Sequence, residues 1–386
     1  MSEKRKKDAA VRTVLIVSVA VISTLLLIIG AAAFYLRSVY KTSYSTDVPI
    51  EERTDVYSVD VVSAPDVVET VDRIVTDGGT DTDEHGMQTY ADTSNDVSTD
   101  EITDTAVTDA AETAAGDEYV GKIPIYKVEP HDPDTENYLF IGRDEGTYYG
   151  RADSAMIFSY NKSNNSVRIV SLLRDSYVPI EGHNWNKLGH ALSYGGVGLY
   201  INTVNYVLDL DVQKYFIVDF AGVKSIVDSV SGVDILLTSE EAAHYSAKWG
   251  EDIPAGIYRM DGEKALEFAR NRSLAGTDFA RAQRQRRVLI AVFERLKSSD
   301  PGKALKAVKT MLGYLKTNVS ANEVLDIAAK VFSAGGSPDV RNTQMPFDDT
   351  WSYAYVKPPG YTGNIAVTVF DIPENREKIR EFLYVR

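Results

Sequence analysis

Cysteine is absent from the 386 residues. That excludes a disulfide framework, thiol catalysis and cysteine-ligated zinc. Histidine is scarce, with His85, His131, His183, His190 and His244 the full set. None is spaced from another like a helical metal pair, so a histidine-ligated zinc is not expected. The chain has no GxxxxGK[ST] loop and no GxGxxG turn, and a nucleotide is not indicated. Basic residues almost vanish between positions 42 and 120, where 21 acids face only Arg53 and Arg73. That stretch carries −19 against −15 for the whole chain, so the remainder is +4 and the acidity is local.

What is present divides the chain. Residues 14–34 form an apolar run without a charge, preceded by Lys4, Arg5, Lys6, Lys7 and Arg12. The length suits a membrane-spanning helix. A cleaved signal peptide is the competing reading, with Ala31, Ala32 and Ala33 suited to a peptidase, but the run exceeds the ~7–15 residues of an h-region. The basic flank places residues 1–13 in the cytoplasm and the rest outside. Nucleic acid is disfavoured by that placement and by the lack of a broad basic surface. Residues 35–120, rich in Thr, Ser, Asp and Val, cannot bury enough surface to fold and read as a disordered, self-repelling linker. The folded part is 121–386, with an extension from 298.

In that part, residues 138–141 read as the first strand. Two apolar runs, 155–160 and 167–173, flank Asn161, Lys162, Ser163, Asn164 and Asn165, which is turn chemistry. With the loop centred between Ser163 and Asn164, opposed positions sum to 327, and Asp153 faces Arg174. Helical patterns at 201–208, 220–229 and 262–271 alternate with strand patterns at 215–218 and 233–237. The alternation predicts an α/β fold, a mixed central sheet with helices on both faces in three layers. Two further helices follow Asp300, with Pro301 at a favourable first position and Ser320 to Glu323 as a capping box. A Gly/Pro-rich stretch, 335–363, leads to a strand at 365–370 and a closing helix from Glu374.

Between Arg270 and Arg287 lie six arginines and one acid, Asp278. Guanidinium forks two donors onto carboxylate or phosphate, so arginine rather than lysine points to an oriented oxyanion. From Phe279 the segment reads as an amphipathic helix with the apolar stripe Val288, Leu289, Val292 and Leu296. Arg281 and Gln285 extend that stripe toward the helix start. A buried arginine needs a partner, which makes Arg281 the ligand-directed group. Arg284 falls at the edge of the site, and Arg286 and Arg287 on the surface. Upstream, Asp144, Arg151 and Asp153 sit at the edges of two strands. Two carboxylates on one short loop call for a cation, and oxygen ligation selects Mg²⁺ or Mn²⁺. The alternative is that each Asp caps a turn or pairs with Arg151 or Arg143. A divalent metal with several arginines is a constellation for a di- or polyphosphate.

From about 137 to 297 the chain resembles the LytR-CpsA-Psr family of envelope proteins. The resemblance rests on IGRDEG, GRADSAM, SLLRDSYVPI, KLGHALSYGG, DFAGVKSIVDSVSGVDI, MDGEKALEFARNR and DFARAQRQRRVL, in that order. It implies a membrane-anchored phosphotransferase that takes a glycopolymer (teichoic acid, capsule or another wall polysaccharide) from an undecaprenyl-pyrophosphate-type carrier to peptidoglycan through a phosphodiester. Matched position by position, Asp144 and Asp153 are the metal-binding acids. Arg151, Arg174, Arg270, Arg272 and Arg281 surround the pyrophosphate, with Asp278 and Gln285 as further site residues. The family often has an Arg shortly after the first Asp; here Glu145 and Gly146 follow, with Arg143 a substitute. The residues leave two other classes open, a membrane-anchored regulator of envelope genes and a noncatalytic module that binds anionic polymer. Water in place of the sugar hydroxyl would give pyrophosphatase side activity.

Overall fold

The computed structural model describes residues 50–52, 67–71, 81–82, 88–89, 123–143, 152–274, 278–333 and 338–384. The expected cytoplasmic segment and membrane span, 1–13 and 14–34, lie outside them. Among the described residues no helix is long and apolar enough to cross a membrane. In chain order the strands are β1 (Thr135–Arg143), β2 (Ser154–Asn161), β3 (Ser166–Leu172), β4 (Tyr177–Ile180), β5 (Asn184–Lys187) and β6 (Lys214–Asp219). Then come β7 (Val233–Leu237), β8 (Gly256–Met260), β9 (Leu315–Thr317), β10 (Asp339–Met345), β11 (Trp351–Val356) and β12 (Ile365–Phe370). The helices are α1 (His190–Leu208), α2 (Phe220–Ser229), α3 (Ser239–Trp249), α4 (Gly262–Arg270), α5 (Asp278–Lys297), α6 (Pro301–Leu312), α7 (Ala321–Ser333) and α8 (Ile372–Leu383).

The central sheet has the order β9, β6, β1, β2, β3, β10 and is mixed, with β6 parallel to β1 and β10 parallel to β3. The β2–β3 hairpin pairs Asn161 with Ser166 and Ala155 with Leu172, so opposed positions sum to 327. Its turn is fixed by Asn161, whose Oδ1 accepts from Ser163 N at 3.0 Å and Asn164 N at 3.1 Å, and by Asn165 at φ 52°. Alternation along β1 divides the core. Leu139 and Ile141 face α1 and α8, while Tyr138 and Phe140 face the opposite layer, where α5 and α7 pack.

Helix α5 is apolar on two sides. Val288, Ala291, Val292 and Leu296 join a second core with α2, α3, α4, α6, β7 and β8. Leu289, Ile290 and Phe293 lie against Met156, Tyr160, Val167 and Ile169 of the sheet. Opposite it, α1 bends at Gly195 and Gly196, the latter at φ 70°. Gly198 passes so close beneath Ile123 that a Cβ there would overlap its carbonyl oxygen.

Several elements depart from expectation. The stretch 335–363 contains β10 and β11 rather than only a connection. The β10 sequence is polar because it is an exposed sheet edge. Helix α3 was not expected, since its residues are mostly polar; Thr238 and Glu241 form its reciprocal capping box. At Ser320 only half a capping box forms: its Oγ accepts from Glu323 N at 3.2 Å, while the Glu323 carboxylate pairs with Lys214. The closing helix starts at Ile372, capped by Asp371. Within 35–120, Ile50–Glu51 pairs with Ile125–Tyr126 and Val67–Val71 with β11, so these residues depart from an irregular linker.

Candidate functional site

The parallel strands β1, β3 and β6 end on one side of the sheet, and the charged residues gather there, between the N-termini of α1 and α5. Asp153, just before β2, donates its backbone N–H to Gly142 O at 3.1 Å, which ties it to the end of β1. Arg174 follows β3 and places Nη1 3.4 Å from Asp153 Oδ1. Its Nε lies 3.6 Å from Asp175 Oδ2, and Lys187 Nζ meets the other Asp175 oxygen at 3.3 Å. Gly189 joins the pieces: its N–H donates to Arg174 O at 2.8 Å and its carbonyl accepts from Ala152 N at 3.4 Å. A Cβ at Gly189 would crowd Arg174 Cβ at 3.2 Å, so glycine permits the approach.

From the other face of the sheet, α5 begins with Asp278, whose Oδ1 is 2.6 Å from Arg281 Nη2. Asp278 faces Asp175, close enough for the two carboxyl groups to act on each other. Burial and the Asp175 charge hold Asp278 above the ordinary carboxylate range, against the pull of Arg281. Burial pushes Asp175 upward as well, but Lys187 and Arg174 outweigh it and keep it below that range. Of the two, Asp278 is thus the one pushed up and Asp175 the one held down. Burial lowers Arg281, and Arg174 and Arg272 add to the effect. Arg174, Lys187 and Arg281 thus contact the three carboxylates, and exposed Arg272 acts on Arg281 from the rim. With four cations to three carboxylates the local balance is positive, which suits an anion.

The expected residues fare unequally. Asp153, Arg174, Arg281 and Asp278 are brought together. Asp144 and Arg151 lie outside the described residues. Arg270 and Arg272 are exposed and line an adjoining groove of about 470 Å³ with Lys248, Glu263 and Glu267. The Arg270 guanidinium stacks over Phe220 at 4.1 Å. Gln285 is half-buried one turn beyond Arg281. Arg143 is 5% exposed, and its charge depresses Lys316 after the effect of burial.

Two expectations are overturned. Arg286 is buried rather than on the surface, because the second apolar side of α5 carries it toward the sheet, where Nε donates to Asn342 Oδ1 at 3.3 Å. Arg287 is half-buried and paired with Glu241 at 2.8 Å, a structural clamp onto α3. Arg284 is buried and donates to Asn271 O at 2.9 Å, holding the backbone beside Arg272. Asp175 and Lys187 were missed. The signal was a second charged residue directly after Arg174 and a lysine two positions before the glycine that meets it.

A metal is testable at one expected ligand only. Arg174 meets Oδ1 of Asp153 alone, and the side chain is one-third exposed. A hard oxygen donor so placed fits a divalent cation such as Mg²⁺. No group of three or more His, Asp or Glu among the described residues forms a metal cluster by itself.

The family model described as LytR_cpsA_psr matches residues 98–360, more than half of the chain. The chain belongs to this family. Among relatives, "Polyisoprenyl-teichoic acid--peptidoglycan teichoic acid transferase TagT" of Bacillus subtilis (strain 168) is 26% identical over 61% of this chain and 76% of its own length. A TagU of the same activity name from Bacillus mycoides (strain KBAB4) is 35% identical over 49% of this chain and 62% of its own length. The chain thus spans under two thirds of that TagU. A solved structure described as TagT bound to LIIa-WTA is 25% identical, with TM-score 0.54, over 67% of this chain and 95% of that one. The mixed α/β architecture is therefore that of LytR_cpsA_psr proteins.

Proposed function

We propose that this protein transfers a glycopolymer from a polyprenyl-pyrophosphate carrier to peptidoglycan, outside a membrane to which residues 14–34 anchor it. The observation that carries the reading is the convergence of Arg174, Lys187 and Arg281 on Asp175 and Asp278 at the strand ends, in a chain of the LytR_cpsA_psr family. Teichoic acid is the polymer named for the relatives. Residues 1–13 face the cytoplasm, and 35–120 carry the chain from the anchor to the domain.

The arginines and Lys187 bind the non-bridging oxygens of the pyrophosphate and hold it for displacement. A sugar hydroxyl of the wall attacks the sugar-proximal phosphorus. The new P–O bond forms as the bond to the bridging oxygen breaks, and the lipid phosphate departs with that electron pair. The hydroxyl proton passes to a carboxylate. Asp278 is the proposed acceptor, because burial and the Asp175 charge raise its proton affinity above that of an ordinary carboxylate. Asp153, with Asp144, would hold Mg²⁺ or Mn²⁺. When bound, the ion neutralises charge on the phosphates. Water reaching the same phosphorus gives a pyrophosphatase side reaction.

The test is reconstituted transfer with a lipid-pyrophosphate-linked polymer and purified peptidoglycan. Arg281→Ala and Asp153→Ala are each expected to abolish it. Unchanged turnover in both variants overturns the assignment.

A further inference from the structure

Beside the cationic cluster lies a neutral one that the binding of pyrophosphate does not use. Asn186, at 3% exposure, is its hub. Its Nδ2 donates to Tyr194 Oη at 2.9 Å and to Tyr361 Oη at 3.3 Å, and its Oδ1 lies 3.1 Å from His190 Nδ1. Tyr361 Oη is also 3.4 Å from His190 Nδ1, and the exposed His183 ring stacks on Tyr194 with centroids 4.3 Å apart. Three separate elements supply these groups: the β4–β5 hairpin, the first turns of α1 and the loop between β11 and β12. His183, His190, Tyr194 and Tyr361 all reach solvent in part.

The cluster adjoins the site through one residue. His190 follows Gly189, whose backbone bonds both Arg174 and Ala152. It sits on the α1 face of the sheet, whereas Arg281 and Asp278 enter from the α5 face. An in-line displacement needs the attacking oxygen opposite the leaving one. With Arg281 holding the diphosphate from the α5 face, the α1 face is the one left to the nucleophile in the transfer reading. Its chemistry suits a sugar: stacked rings take the C–H face of a pyranose, while amide, imidazole and phenol groups meet its hydroxyls.

We infer that His183, Asn186, His190, Tyr194 and Tyr361 form a saccharide subsite that positions the glycan strand of peptidoglycan for attack. The inference rests on the transfer reading above. The assay uses the full chain with His183→Ala and Tyr361→Ala, checked for native circular dichroism. Each is expected to raise the acceptor KM about tenfold, the weight of one good polar contact, with donor KM unchanged. Tyr361→Phe, which keeps the ring, is expected to recover part of the loss. A rise in donor KM alone overturns the proposal in favour of a donor-sugar site, and no change in either KM overturns it in favour of a structural tie. Saturation-transfer NMR with an N-acetylglucosamine–N-acetylmuramic acid disaccharide separates the two readings. If the wild type binds the disaccharide and His183→Ala does not, the subsite stands even where transfer fails. If the wild type does not bind it, the subsite falls.

Discussion

Arg286 and Arg281 lie on one helix, both nearly sealed from water, and replacing each with methionine should have opposite consequences. Arg281 has Asp278 at 2.6 Å. Among the described residues Arg286 donates to the neutral Asn342, at 3.3 Å, its Nη1 is buried without a hydrogen bond, and the Asp348 charge opposes the effect of burial. Burial pushes the Arg286 guanidinium down to about 10, so keeping its charge costs on the order of 3 kcal/mol. Methionine fills similar volume beside Leu289, Ile290 and Phe293 without that cost, and exposed Asn342 turns its freed oxygen to water. Allowing about 1 kcal/mol for the lost hydrogen bond, Arg286→Met should stabilise the domain by about 2 kcal/mol, in line with apolar replacement of buried ions. For a domain this size that is a rise in Tm of ~4–8 °C. A depressed base destabilises fully below its folded value, so the gain should shrink as pH rises through 10. Differential scanning calorimetry reads the shift, and transfer should persist. A fall of more than about 1 kcal/mol would refute the reasoning and assign the balance to Asp348. Arg281→Met, in contrast, removes the cation that Asp278 requires and should end transfer.

Asp175→Asn should move the acid limb of the transfer pH profile to lower pH, because Asp278 loses a neighbour that holds its proton; an unmoved limb counts against Asp278 as the proton acceptor. At the far end of the sheet, burial pushes Glu136 up, but Lys162, Tyr138 and Lys214 outweigh it and hold it at about 2. The depressed acid stabilises above its unfolded value of about 4.5, and the contribution disappears as pH falls toward 2. Glu136→Gln should therefore cost ~2 kcal/mol in urea unfolding at pH 7 and almost nothing near pH 2. Chelation should halt transfer, with Mg²⁺ or Mn²⁺ restoring it; full turnover in excess chelator would remove the metal from the scheme. Gly198→Ala should destabilise by more than ~2 kcal/mol, read by thermal melting, because the Ile123 carbonyl occupies the space.

The β2–β3 hairpin was legible to the residue because its asparagine turn fixes the register and each strand keeps its apolar pattern. From that register alone, Asp153 and Arg174 could be set face to face. Helix α5 was half legible. One apolar stripe was visible, but a helix buried on two sides has little polar face to set its phase, and Arg286 was misplaced for that reason. Asp175 escaped notice since a carboxylate next to an arginine looks like its own neutralisation. Its coupling to Asp278, 103 positions later, exists only after folding. The polar edge strand β10 and the polar helix α3 escaped because their stability comes from ladder bonds and a capping box rather than a hydrophobic period.

The double burial of α5 has a mechanical consequence. Gripped along both flanks, the helix behaves as a beam built into two walls, and the guanidinium at its tip cannot yield without dislodging one core or the other. Under the proposed transfer, so stiff a gauge reads the pyrophosphate alike for every polymer that carries one. Tuning to a particular polymer is then left to parts that can drift without loosening the beam, such as the open groove at Arg270.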